Sequence, residues 1–166
     1  MPELRDEEYM REAVARAEEA LQAGEVPVGA VVVHGGRVIA AARNEREASR
    51  DPTAHAEILA MRQAAEVLGD WRLRGCTLYV TLEPCPMCAG AMVMSQLERC
   101  VFGAYDPRRG CCGSVYDLPG DPRLQGQTSW RAGVLDEEGK RLMDAFFGAA
   151  RGSGDDGPAA QRPGGE

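Results

Sequence analysis

Residues 76–97 read CTLYVTLEPCPMCAGAMVMSQL, and the reading of this stretch decides the fold. CTLYVTL (76–82) is a short apolar run with β-branched and aromatic residues, which predicts a buried strand. Pro84 to Leu97 predicts a helix with Pro86 in its first turn, where a missing N–H costs nothing. A strand that passes directly into a helix begins a strand–helix–strand unit, and RCVFGA (99–104) supplies its second strand. Such strands lie parallel, joined by a right-handed crossover. The helix opens on Cys85 and Cys88, a C-x-x-C pair. Two thiols at that spacing are half of a metal site, a redox pair, or unrelated.

Upstream of this unit, Asp51-Pro52-Thr53 marks a helix start, and AEILAMRQAAEVLG carries that helix to about Gly69. Before it, VPVGAVVVHGGRVIAAARN sets two β-branched runs around His34-Gly35-Gly36, the pattern of a hairpin. Met10, Ala13, Val14, Ala17 and Leu21 recur at helical spacing and predict an amphipathic helix over about 6–23. Downstream, residues 105–127 are rich in Gly and Pro, TSWRAGVL supplies a last strand, and DEEGKRLMDAFFGAAR a last helix. The order predicts an α/β fold in three layers, α/β/α, with a mixed central sheet of about five strands. Residues 1–151 are expected to form one domain, and the composition of GSGDDGPAAQRPGGE (152–166), with nothing to bury, predicts a disordered tail. Ligands of such sheets gather at the carboxyl ends of strands, where Asn44 and the Pro84-Cys85 turn both sit.

The bulk numbers narrow the class. A chain of 166 residues, 44% hydrophobic and 27% charged, is long enough for one well-buried core. It has no apolar run of the ~20 residues that span a bilayer. The acidic, helical beginning is unlike a signal or transit peptide, so no membrane is expected and the location is expected to be cytoplasmic and reducing. Six cysteines then favour metal binding or catalysis over a disulfide framework. The net charge of −7 comes from the two ends, with residues 26–151 neutral. That argues against broad, non-specific nucleic-acid binding, while leaving local basic clusters at Arg43, Arg46 and Arg50, and at Arg108 and Arg109.

The chain has only two histidines to consider as a third metal ligand. His34 lies in the hairpin turn and reads as a solvated turn residue. His55 opens a helix in PTAHAEIL, with Glu57 two residues on. If both helix starts meet at one end of the sheet, His55 joins Cys85 and Cys88 around one ion. Three ligands of mixed N and S type suit tetrahedral zinc and leave a fourth position open. Helix N-termini favour thiolate over thiol, which suits cysteines that begin a helix. A nearby carboxylate outside the ligand set can carry protons, which gives Glu57 a role. One geometric condition applies. In a regular helix i and i+2 diverge, so His55 must lie at the helix start and turn back.

His55-Ala56-Glu57 with Pro84-Cys85-Pro86-Met87-Cys88 resembles the signature of the zinc-dependent deaminases, a motif that is itself a standard worked example of this chemistry. The wider text, EVPVGAVVV, DPTAHAEILAMRQAA, TLYVTLEPCPMCAGAMVMS and VFGAYDP, is similar to the bacterial tRNA-specific adenosine deaminases. The resemblance implies a cytidine-deaminase-like fold, a homodimer, one Zn2+ per subunit, and conversion of adenosine to inosine at the wobble position of a tRNA anticodon stem-loop. It implies that His55, Cys85 and Cys88 hold zinc and that Glu57 shuttles protons. It also implies substrate contacts: Asn44 on the flipped base, Asp106 and Ser114 near the RNA, Phe147 beside the substrate, and Arg108 and Arg151 on phosphates. Taken alone, Asn44 and Asp106 are ordinary turn residues and one of Phe146 and Phe147 is core packing. The chain departs from the family at Cys111-Cys112, at Gln125-Gly126-Gln127, and in its acidic tail. A deaminase of a free base or nucleotide (guanine, cytosine or dCMP) using the same zinc kit is the alternative, and a non-catalytic zinc or RNA-binding module the third reading.

Overall fold

The computed structural model describes residues 2–152. Its elements are α1 (Pro2–Gln22), β1 (Gly29–His34), β2 (Arg37–Arg43), a one-turn α2 (Arg46–Ser49), α3 (Ala56–Leu68), β3 (Cys76–Leu82), α4 (Pro86–Met94), β4 (Arg99–Ala104), β5 (Ser129–Arg131) and α5 (Asp136–Gly152), with a 3-10 turn at Pro122–Leu124. Of the expected tail over 152–166, Gly152 ends α5, while residues 153–166 and the side chain of Arg151 lie outside the described residues.

One five-stranded sheet, in the order β2-β1-β3-β4-β5, forms the middle layer. β1 pairs antiparallel with both β2 and β3, whereas β3, β4 and β5 are parallel. It follows that β2, β3 and β4 all run the same way and end on one edge. The hairpin closes through Gly35 and Gly36 at φ 57° and 74°, the left-handed pair that a two-residue turn requires.

The strand alternation sorts the core into two faces. Val31, Val33, Tyr79 and Val101 point to the side covered by Met10, Ala13, Val14 and Ala17 of α1 and Leu142 of α5. Val32, Leu78, Val80 and Phe102 point to the side covered by Ala56, Ala60, Met61 and Ala64 of α3 and Ala89 and Met92 of α4. Small residues let the layers approach closely: a Cβ on Gly29 would stand 2.0 Å from the Ala13 carbonyl oxygen of α1.

Boundaries shift from expectation for physical reasons. Asp51 to Thr53 is a turn closed by Asp51 Oδ1, which accepts from the Thr53 N–H at 2.8 Å and its hydroxyl at 2.7 Å, so α3 starts at Ala56. α4 stops at Met94 because Gln96 is left-handed, at φ 61°. The last strand keeps only Ser129–Arg131 of TSWRAGVL, as the chain turns at Gly133 (φ 87°) and Leu135 (φ 53°) to enter α5. Among the described residues, no helix is long and apolar enough to cross a membrane.

Candidate active site

The edge where β2, β3 and β4 end collects the chemistry. His55 is the N-cap of α3 and Cys85 the N-cap of α4, both with extended backbone (φ −72°, ψ 150° and φ −74°, ψ 175°). His55 is thus still outside the helix, which frees its side chain from the helical divergence of i and i+2. Its Nδ1 lies 3.5 Å from the sulfurs of both Cys85 and Cys88, and the three donor atoms all lie within 4.8 Å of one another. With Zn–S about 2.3 Å and Zn–N about 2.0–2.1 Å, two ligands at a tetrahedral angle stand about 3.5 Å apart. Both nitrogen–sulfur separations match that spacing, and with all three atoms within 4.8 Å the set fits a zinc ion.

Electrostatics around the cluster point the same way. A hydrogen bond from the Cys88 thiol, opposed by burial and aided by His55, pulls the Cys85 thiol down to about 4. The same bond, with burial and the nearby Glu57, pushes Cys88 up. The bond to Cys85 raises His55. Three donors competing for protons in so small a space are a natural seat for a soft cation, at the positive ends of two helices. Glu57 is buried in the first turn of α3, and burial pushes its carboxyl above the ordinary value.

The remaining expected substrate residues are occupied by the protein itself. Asn44 is buried; its Nδ2 donates to the Val26 carbonyl at 3.4 Å and its Oδ1 accepts the Arg46 N–H at 3.3 Å. Asp106 is turn chemistry, with Oδ1 accepting the N–H groups of Arg108 and Arg109 at 3.1 and 3.4 Å. Ser114 donates its hydroxyl to Glu83. Phe147 is 44% exposed and meets Phe146 edge-on at 5.3 Å. It lies on α5, which packs on β3, β4 and α1, the layer opposite α3 and α4. Arg108 and Arg109 are exposed, and Cys111 and Cys112 are buried free thiols.

Sequence reasoning missed two buried acids here. Glu25 accepts from the N–H groups of Glu47 and Ala48 at 3.2 and 2.7 Å and so holds α2 beside the site. Glu83 accepts from the loop after β4. The only signal for Glu83 was its place between an apolar strand and Pro84; Glu25 gave none.

The family model of the MafB19-like deaminases matches residues 4–116. A tRNA-specific adenosine deaminase of Bacillus subtilis (strain 168) is 51% identical over 142 residues, covering 86% of this chain and 88% of its own. The chain belongs to the tRNA-specific adenosine deaminase family. A solved structure from studies of A-to-I editing by tRNA deaminases at the wobble position of transfer RNA matches with a TM-score of 0.79, at 40% identity over 81% of this chain and 98% of that one. Its likeness assigns this chain the cytidine-deaminase-like α/β fold. A guanine deaminase from Nitrosomonas europaea matches with a TM-score of 0.74 at 25% identity, over 86% of this chain and 84% of that one.

Proposed function

We propose that this chain hydrolytically deaminates adenosine to inosine at the wobble position of a tRNA anticodon, with one zinc ion held by His55, Cys85 and Cys88. One observation carries the chemistry: a nitrogen and two sulfurs at zinc-ligand spacing beside a buried carboxyl. The substrate rests on the 51% identity to a tRNA-specific adenosine deaminase. A structural zinc takes four protein ligands, whereas this cluster offers three.

When bound, zinc supplies Lewis acidity that brings the ionisation of water towards neutral pH. Glu57 does the proton work. Raised by burial, its carboxyl both accepts and returns a proton near neutrality more readily than an exposed glutamate. It takes a proton from the attacking water, delivers it to the purine ring, and helps the amine leave. The water oxygen ends on C6 and the exocyclic nitrogen departs as ammonia. Asn44 has one N–H and one lone pair beyond its two long bonds to Val26 and Arg46, enough to hold the flipped base. Asp106 and Ser114 shape the wall beside it, while Arg108 positions phosphate and Phe147 borders the RNA.

A homodimer completes the reading. Trp71 and Met94 are exposed, and the bond from Leu73 N–H to the Ser95 carbonyl sets their segments side by side. An apolar surface of that kind suits a second copy.

A free purine base is the second reading, favoured by the likeness to a guanine deaminase. The two are separated by incubating zinc-loaded protein with an anticodon stem-loop that starts with adenosine, and with guanine, cytosine and dCMP. Inosine at the first anticodon position, without ammonia from the free compounds, is expected. Xanthine from guanine beside an unchanged stem-loop would favour the second reading.

A further inference from the structure

Glu83 stands between the end of β3 and the Pro84-Cys85 turn and is 2% exposed. Its Oε1 accepts the Asp106 N–H at 3.0 Å and the Ser114 hydroxyl, and its Oε2 accepts the N–H groups of Cys112 and Ser114 at 2.9 and 3.1 Å. Four donors saturate a carboxylate, which has about four acceptor sites. All four come from one loop, the stretch after β4. Gly110 of that loop passes so close that a Cβ would stand 2.1 Å from the Glu83 carboxyl carbon. The backbone repeats the connection, with Cys111 N–H on the Pro84 carbonyl and Glu83 N–H on the Ala104 carbonyl, each at 2.8 Å.

This arrangement does more than satisfy a buried charge. Asp106 uses its own carboxylate to cap the N–H groups of Arg108 and Arg109, so those exposed cations follow wherever Glu83 places the Asp106 backbone. Two residues further along, the same segment carries Cys85. One side chain therefore relates the metal turn to every loop residue assigned to substrate.

We propose that Glu83 is a positioning residue of the reaction, seating the 105–114 loop as the substrate wall beside the metal turn. The inference rests on the deaminase reading for its substrate, though not for its loop geometry. Glu83→Gln preserves volume and exchanges one acceptor oxygen for a donor, so two loop donors lose their partner. In the zinc-loaded protein, amide exchange at Asp106, Cys112 and Ser114 is expected to accelerate about tenfold or more, with exchange in α4 unchanged. Zinc content should stay at one per chain. KM for the stem-loop should rise about tenfold or more while kcat stays within about threefold, the split expected when positioning rather than chemistry is lost.

Unaltered loop exchange would overturn the proposal. So would zinc loss with a falling kcat and unchanged KM, which would make Glu83 a support of the metal turn alone. Should the stem-loop prove no substrate while guanine is turned over, the substrate reading fails and the exchange result still decides the role of Glu83. If Glu83→Gln does not fold, Ser114→Ala removes a single hydroxyl donor. It is expected to speed exchange at Asp106 and Cys112 about threefold, and no change there would overturn the proposal equally.

Discussion

His55 and Glu57 sit two apart, yet His55 reaches the sulfurs of Cys85 and Cys88 while Glu57 is buried in the first turn of the same helix. A regular helix would point them apart, and the extended backbone at His55 removes the conflict. The convergence of His55, Cys85 and Cys88 was legible because zinc chemistry demands unusual residues at restricted spacings, and only His34 competed with His55. Glu83 was not legible, since an acid before a proline carries no mark of burial or of four loop donors. The ligand assignment predicts that His55→Ala and Cys88→Ala each lower zinc content from near one to below about 0.1 per chain, measured by elemental analysis of folded protein. Either variant retaining full zinc would remove that residue from the ligand set.

At the scale of elements, α1, the hairpin, β3 and β4 followed from apolar period and the Gly35-Gly36 turn, and lie close to where the sequence places them. α2 did not, because its N–H groups are held from outside by Asn44 and by Glu25 across the chain, partners no local pattern reveals. The anchorage of α1 was hidden likewise. Buried Asp6 accepts from Arg99 at 2.7 and 3.0 Å, from Arg131 at 2.8 Å and from the Tyr79 hydroxyl at 2.7 Å, tying α1 to β3, β4 and β5. Burial pushes the Asp6 carboxyl up, but these donors outweigh it and hold it below its ordinary value. Its stabilising contribution is therefore present above its unfolded value of about 3.9, and disappears as pH falls through the lower folded value. Asp6→Asn should cost about 2–3 kcal/mol at pH 7 in urea unfolding, less than a fully buried pair because Arg99 and Arg131 are part-exposed. The gap from wild type should narrow below about pH 4. A gap equally wide at pH 3 and pH 7 would refute the assignment.

For the whole molecule, three layers and one mixed sheet followed from the order of elements, and the sheet direction brings Asn44, His55 and Cys85 to one edge. The proposed homodimer has a fainter basis, the exposed apolar side chains of Trp71 and Met94. Light scattering should give about twice the 17.9 kDa chain mass, and Met94→Glu should shift the protein towards monomer. A monomeric wild type would contradict the homodimer. The central claim joins fold to reaction: a metal turn and a buried proton carrier converge to deaminate the wobble adenosine. It is tested most directly by single-turnover inosine formation on an anticodon stem-loop, with zinc-loaded wild type and Glu57→Gln side by side. The expected result is inosine from wild type and a rate about 10²–10⁴-fold lower from a variant with full zinc content. Equal rates from the two proteins would contradict the account.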